Sequence, residues 1–204
     1  MTRGPAARDV TADAASDGYD VLVLGDSISA AYGMPLEEGW VALAEMALRA
    51  EGENVTFHNA SISGDTTRGG RGRLARAIEN FDPELLIIEL GGNDGLRGYP
   101  PKKIVENLTA MAEMAREAGS EVLILGMMIP TNYGPAYGKL FADAFADAAG
   151  ATDSEFIPFF LEPIALDRAH FQPDGIHPTS EAQPILLEHV LPTIRRIIEK
   201  GTAE

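Results

Sequence analysis

The chain has 204 residues, 45% of them hydrophobic and none of them cysteine, and 16 Lys and Arg face 31 Asp and Glu for a formal charge of −15. That length suits one well-cored domain, and the composition excludes a disordered or disulfide-stapled chain, thiolate metal sites and cysteine nucleophiles. The acidity argues against nucleic acid or an anionic membrane surface as partner, and no apolar run approaches the ~20 residues that span a bilayer.

Residues 1–18, with Arg3, Pro5, Arg8 and several alanines, read as a flexible leader without the apolar core of a signal peptide. From Tyr19 onward strands and helices alternate. Val21-Leu22-Val23-Leu24 is a continuous apolar run, as in a strand buried on both faces. Trp40, Leu43, Ala44, Ala47 and Leu48 then share one helical face. Val55–His58 is a weaker strand, and a helix over Arg71–Asn80 is blurred at its start by Gly69, Gly70 and Gly72. Leu85–Ile88 is a second buried strand, followed by a helical stripe of Ile104, Leu108, Met111, Ala112 and Ala115. Val122–Leu125 repeats the pattern, ahead of a stripe through Tyr137, Leu140, Phe141, Ala144, Phe145 and Ala148. Phe156–Phe160 is the last strand candidate. Leu186, Val190, Ile194 and Ile197 mark a final helix, which Pro192 is expected to kink.

Five strand–helix alternations predict an α/β fold, a parallel sheet with helices on both faces. No repeat or linker divides it, so a single domain is expected over residues 19–204. In such sheets ligands bind beyond the carboxyl ends of the strands. Four small polar clusters fall there: Gly25-Asp26-Ser27-Ile28, Asn59 through Asp65, Gly91-Gly92-Asn93-Asp94, and Asp174-Gly175-Ile176-His177-Pro178.

A serine hydrolase needs a hydroxyl, an imidazole within reach, a carboxylate to hold the ring, and donors for the developing oxyanion. Ser27 follows a strand-end glycine. Asp174 and His177 stand three residues apart around Gly175. The amides of Ser27 and Gly64 and the side chain of Asn93 supply candidate donors. Taken singly, each has a plainer reading: Ser27 as a cap, Gly64 as a turn glycine, Asn93-Asp94 as a turn. Asp26, Asp65 and Asp94 read as braces of loops. His58 in a strand and His189 in a helix read as structural, and His170, on the right loop, is set aside as lacking an aspartate three residues before it. Sharing one sheet edge is what favours the serine hydrolase. Three other readings stay open: a carbohydrate O-acetylesterase, a non-enzymatic phosphate- or nucleotide-binding module, and a metal hydrolase using Asp174, His177 and His170.

In that order the four blocks resemble those of the SGNH (GDSL-type) hydrolase family, whose serine, glycine, asparagine and histidine correspond to Ser27, Gly64, Asn93 and His177. The likeness runs from about Asp20 to Ile198. It looks closest to the bacterial acyl-thioesterase, lysophospholipase and arylesterase branch, on Asn59–Thr67, Glu89–Gly98 and Asn132-Tyr133-Gly134. Ile28 replaces the leucine of the family name. Ser29 stands where an α/β-hydrolase elbow has glycine, which argues against that larger fold. The resemblance implies a three-layer α/β/α sandwich with a flavodoxin-like sheet of five parallel strands, no cofactor or metal, and a small-molecule ester or thioester as substrate. It also implies export, for which this chain shows no signal, so compartment and oligomeric state stay open. For the acyl group, Leu96, Tyr99, Met128, Ile129, Tyr133 and Ile176 are the expected lining, with Phe159 through Ile164 alongside. Gly95 and Gly98 suggest a hinged flap. A histidine base further predicts that activity falls as His177 protonates.

Overall fold

The computed structural model describes residues 18–202, so the leader expected over 1–18 lies outside the described residues except for Gly18. Five parallel strands form one sheet: β1 (Tyr19–Gly25), β2 (Val55–Asn59), β3 (Leu85–Glu89), β4 (Glu121–Leu125) and β5 (Glu155–Ile157), in the order β2-β1-β3-β4-β5. The register sets Leu22 beside both His58 and Leu86, Leu86 beside Val122, and Ile124 beside Phe156. The inner strands β1, β3 and β4 carry the apolar runs because helices cover both of their faces, leaving no wet side on which polar residues could alternate.

On one face α1 (Trp40–Ala50) packs against α6 (Gln183–Gly201). On the other, α4 (Pro101–Glu117) lies between α2 (Thr67–Phe81) and α5 (Pro135–Thr152). A short α3 (Gly92–Leu96) follows β3 directly. The core is continuous through the sheet, with Trp40, Phe141, Phe145 and Phe160 among the largest fully buried side chains. No helix among the described residues is long and apolar enough to cross a membrane.

Three local expectations change. The last strand stops at Ile157 rather than Phe160, because Pro158 has no N–H with which to continue a ladder. Phe160 instead turns inward and meets Trp40 edge-on at 5.4 Å. α2 begins at Thr67, four residues earlier than expected, because the Thr66 side chain caps it by accepting from the Gly69 amide at 3.2 Å. Gly70 is also needed there, since a Cβ on it would run into Leu90, whereas Gly72 has open space around it. Leu140, counted in the apolar stripe of α5, is exposed. α6 continues through Pro192 to Gly201.

With this strand order, the connections leaving β1 and β3 diverge to opposite sides of the sheet. The crevice between their carboxyl ends is the switch point at which open α/β sheets bind ligands. Ser27 follows β1, and Asn93 follows β3.

Candidate active site

β1 delivers its chain into a tight turn. Gly25 has to be small: a Cβ there would lie 2.7 Å from both Ser29 Cβ and Ser61 Oγ. The turn is closed by the Ala30 amide donating to Asp26 O at 3.0 Å and the Tyr32 amide donating to Ser27 O at 3.0 Å. Asp26 Oδ1 accepts from the Ile28 amide at 3.1 Å. Ser27 is thereby fixed at the sheet edge, 9% exposed.

The loop after β5 brings the imidazole. Gly175 takes a left-handed turn (φ +70°), and a side chain there would also collide with the Arg168 guanidinium. That turn folds Asp174 back on the segment that follows. Its Oδ1 accepts from the amides of Ile176 (2.9 Å) and His177 (3.1 Å), and its Oδ2 contacts His177 Nδ1 at 2.7 Å. Nε2, the opposite ring nitrogen, lies 2.9 Å from Ser27 Oγ, across 150 residues of sequence. The His177 hydrogen bond, aided by the two amides, holds the Asp174 carboxyl at about 2, below the usual carboxylate range. Asp174 is therefore ionised at neutral pH.

Two contacts hold this loop against the turn that carries Ser27. Gln172 Nε2 donates to Tyr32 O at 2.7 Å and to Pro178 O at 3.0 Å. The Tyr32 ring lies over the His177 ring with centroids 4.3 Å apart. Neither Tyr32 nor Gln172 stands out in the sequence, since a lone aromatic and a lone amide in loops carry no pattern.

The donor side is built by aspartates. Asn93 sits in the first turn of α3, reached through Gly91 (φ +128°), where a Cβ would lie 2.7 Å from the Phe145 ring. Asn93 Nδ2 donates to Asp26 Oδ2 at 3.0 Å, which leaves its second N–H for another acceptor. Gly64, also left-handed (φ +80°), follows β2 in a loop tied to β1 by the Ile62 amide donating to Gly25 O at 3.0 Å. Its carbonyl accepts from Arg97 Nη2 at 3.1 Å. Asp65 pairs with Arg73 at 2.8 Å, and Arg73 also donates to the carbonyls of Ala60 and Gly25. Asp94 accepts from the Thr67 amide (2.9 Å) and hydroxyl (2.6 Å). The three aspartates brace the loops, but Asp26 does more than the sequence suggested, because it also aims Asn93.

The other histidines lie elsewhere. His58 pairs with Asp20 at 2.7 Å and stacks on Phe81, and His189 contacts Phe159 O at 3.2 Å. His170 does have an aspartate three residues before it, contrary to expectation, but Asp167 is 3.7 Å away, and it is His177 that meets Ser27.

The profile of the GDSL-like lipase/acylhydrolase family matches residues 23–184. Esterase TesA of Pseudomonas aeruginosa is 47% identical over 178 residues, 87% of this chain and 89% of that one. A crystal structure titled as TesA superposes with a TM-score of 0.85 at 47% identity, covering 87% of this chain and 99% of that one. The arylesterase of Vibrio mimicus is 44% identical, over 83% of this chain and 85% of its own. Thioesterase 1/protease 1/lysophospholipase L1 of Escherichia coli (strain K12) is 35% identical, over 87% and 84%. The chain belongs to the GDSL-like lipase/acylhydrolase family. It is a serine hydrolase of esters or thioesters.

Beside the hydroxyl of this acylhydrolase opens an apolar cavity of about 400 Å³. Ile28, Leu96, Met128, Ile129 and Ile176 line it, joined by Phe159 and Leu161. Tyr99 and Tyr133 do not line it. Tyr99 is exposed and its carbonyl accepts from Tyr137 Oη at 2.7 Å, and Tyr133 Oη donates to Leu96 O at 2.9 Å. Phe160 and Ile164 are core residues. Gly95 is no hinge: it is buried in α3, and a Cβ would lie 2.6 Å from both Ile129 and Phe141. The glycine is there for close packing, so the segment after Asn93 begins as a fixed helix.

Proposed function

We propose that Ser27 is the nucleophile of a two-step acyl transfer, with His177 as base and Asp174 as the group that orients and charge-balances the ring. Ser27 Oγ forms a bond to the ester or thioester carbonyl carbon while its proton passes to His177 Nε2. The carbonyl electron pair moves onto oxygen, and the Ser27 and Gly64 amides and the free N–H of Asn93 donate to it. Collapse breaks the bond to the leaving alcohol or thiol, which takes the proton from Nε2. Water then attacks the acyl-serine, gives its proton to Nε2, and the second collapse returns that proton to Ser27 Oγ as the acid departs.

What carries the reading is the unbroken chain Ser27–His177–Asp174, at 2.9 and 2.7 Å, placed at the switch point of the sheet. The cavity beside it favours short to medium acyl or aryl esters, since its roughly 400 Å³ matches small-ligand sites. Peptide mapping after reaction with a fluorophosphonate tests the assignment. The label is expected on Ser27, and folded Ser27→Ala is expected to take none and to lose about 10³–10⁶ in rate. Labelling at another serine, or near-parental activity in Ser27→Ala, overturns it.

A further inference from the structure

Glu89 ends β3 as the one ionisable residue in Leu85-Leu86-Ile87-Ile88-Glu89-Leu90, and it is fully buried. Its Oε2 collects three donors from the turn that carries Ser27: Ser29 Oγ at 2.7 Å, and the amides of Ser29 and Asp26 at 3.3 Å each. Trp40 Nε1 donates to the same Ser29 hydroxyl at 3.1 Å, extending the set into α1. Asp26 in turn holds the Asn93 side chain. One oxygen of one buried acid thus ties together the residues on both sides of Ser27 and, through Asp26, a donor facing the site.

We propose that Glu89 is a positioning residue for the reaction, acting as a neutral acid that fixes the nucleophile turn and, through Asp26, the Asn93 side chain. The inference rests on the reading of Ser27 and Asn93 given above.

Three observations make the acid neutral. No Lys, Arg or His among the described residues forms an ion pair with Glu89. Its Oε1 is buried without a hydrogen-bond partner, a far greater cost for a carboxylate than for a carboxylic acid. The charged group acting on it is Asp26, another carboxylate, which itself feels His177 and Asp65. Burial first and Asp26 second push the Glu89 carboxyl well above its ordinary range. Of the two acids Asp26 keeps the charge more readily, because each of its oxygens accepts a hydrogen bond, from the Ile28 amide and from Asn93, and it senses His177, whereas Glu89 is fully buried with Oε1 unpartnered. The proton therefore resides on Glu89.

The test compares the parent, Glu89→Gln, Glu89→Ala and Ser29→Ala on an aryl acetate, with thermal unfolding to confirm each fold. Glutamine mimics the neutral acid, so Glu89→Gln is expected to restore kcat to within about threefold of the parent, whereas Glu89→Ala loses about tenfold or more in kcat with KM within about twofold. Ser29→Ala removes only the hydroxyl, is expected to fold, and should lose about threefold in kcat. In the infrared at pH 8, the carbonyl stretch of an un-ionised carboxylic acid is expected in the parent and absent from Glu89→Gln. A Glu89→Gln enzyme as slow as Glu89→Ala, or no such infrared band, overturns the neutral acid. Parental kcat in Glu89→Ala overturns the positioning role, and if that variant does not fold, parental kcat in Ser29→Ala does so. A parent that leaves the aryl acetate untouched counts instead against the substrate reading of the preceding section.

Discussion

Two aspartate–histidine pairs in this protein have the same 2.7 Å contact and different surroundings. Asp20 and His58 sit on neighbouring strands, β1 and β2, and the His58 ring stacks on Phe81 with centroids 4.3 Å apart. Asp174 and His177 sit three residues apart in a loop, and the His177 ring is capped by Tyr32 at the same 4.3 Å. Carboxylate, imidazole and aromatic cover are common to both. The difference lies at the far nitrogen, since His177 presents Nε2 to a hydroxyl at the switch point of the sheet. An orienting carboxylate does not by itself make a base; the partner across the ring does. The strand pair also fixes His58 against the β1 backbone, whereas the loop pair is free to place its ring over a turn built 150 residues earlier.

The largest effect that tests this contrast is a matched pair of substitutions. His177→Ala is expected to cost about 10³–10⁶ in kcat, in line with losses seen when triads are dismantled. His58→Ala is expected to leave kcat within about twofold and to lower the unfolding temperature, because a half-buried pair and a ring stack are lost. Comparable loss of activity in both would mean that the pairs are not functionally distinct. Next comes Asn93→Ala, expected to cost about 10²–10³ in kcat with little change in KM if its free N–H serves the oxyanion. An unchanged kcat removes Asn93 from that role. Smaller again is the cavity wall: Ile176→Ala is expected to lower kcat/KM for a six-carbon acyl ester by about tenfold, with much less effect on acetate, since the longer chain loses apolar contact worth 1–2 kcal/mol. Equal losses on both esters would place the acyl chain elsewhere.

How far the sequence discloses all this depends on range. The inner strands are legible because burial on both faces writes itself as an uninterrupted apolar run, as in Leu85–Ile88. β5 was overextended because Phe159 and Phe160 look like strand residues, although Pro158 removes the donor a strand needs. The start of α2 is blurred because the propensity cost of Gly69 and Gly70 outweighs the local Thr66 cap in the sequence, while the close approach of Gly70 to Leu90 is a tertiary fact. Ser27, Gly64, Asn93, Asp174 and His177 could be singled out because each lies in a short polar block after a strand. Tyr32 and Gln172 were missed because their work is contact across the fold. Tyr99 and Tyr133 fall outside the cavity lining, because proximity in sequence to Asn93 and Met128 does not fix where a ring points. Glu89 did leave a signal, a single acid closing an apolar strand, and a buried charge without a cation asks for an explanation.

The most delicate test of the site concerns Asp26. Burial raises its carboxyl to about 6, against the lowering effect of the Ile28 amide and Asn93. Its folded-state value therefore lies above its unfolded one, so the folded state holds the proton longer and stability falls as pH rises from about 4 to about 6, then levels. Activity should run the other way, because the ionised Asp26 is the better acceptor for Asn93. Asp26→Asn separates the two. Asparagine does not titrate, so its unfolding temperature should gain on the parent's between pH 4 and 6 and hold that gain above. It also has one acceptor oxygen where Asp26 uses two, one for Ile28 and one for Asn93, so one of those bonds is lost and kcat should fall about fivefold. If unfolding temperatures of parent and variant run parallel across that pH range, Asp26 is not held in the strained ionised state that burial implies. Its grip on Asn93 would then be made at no cost in buried charge, rather than at a cost accepted by the fold to keep a donor aimed at the substrate.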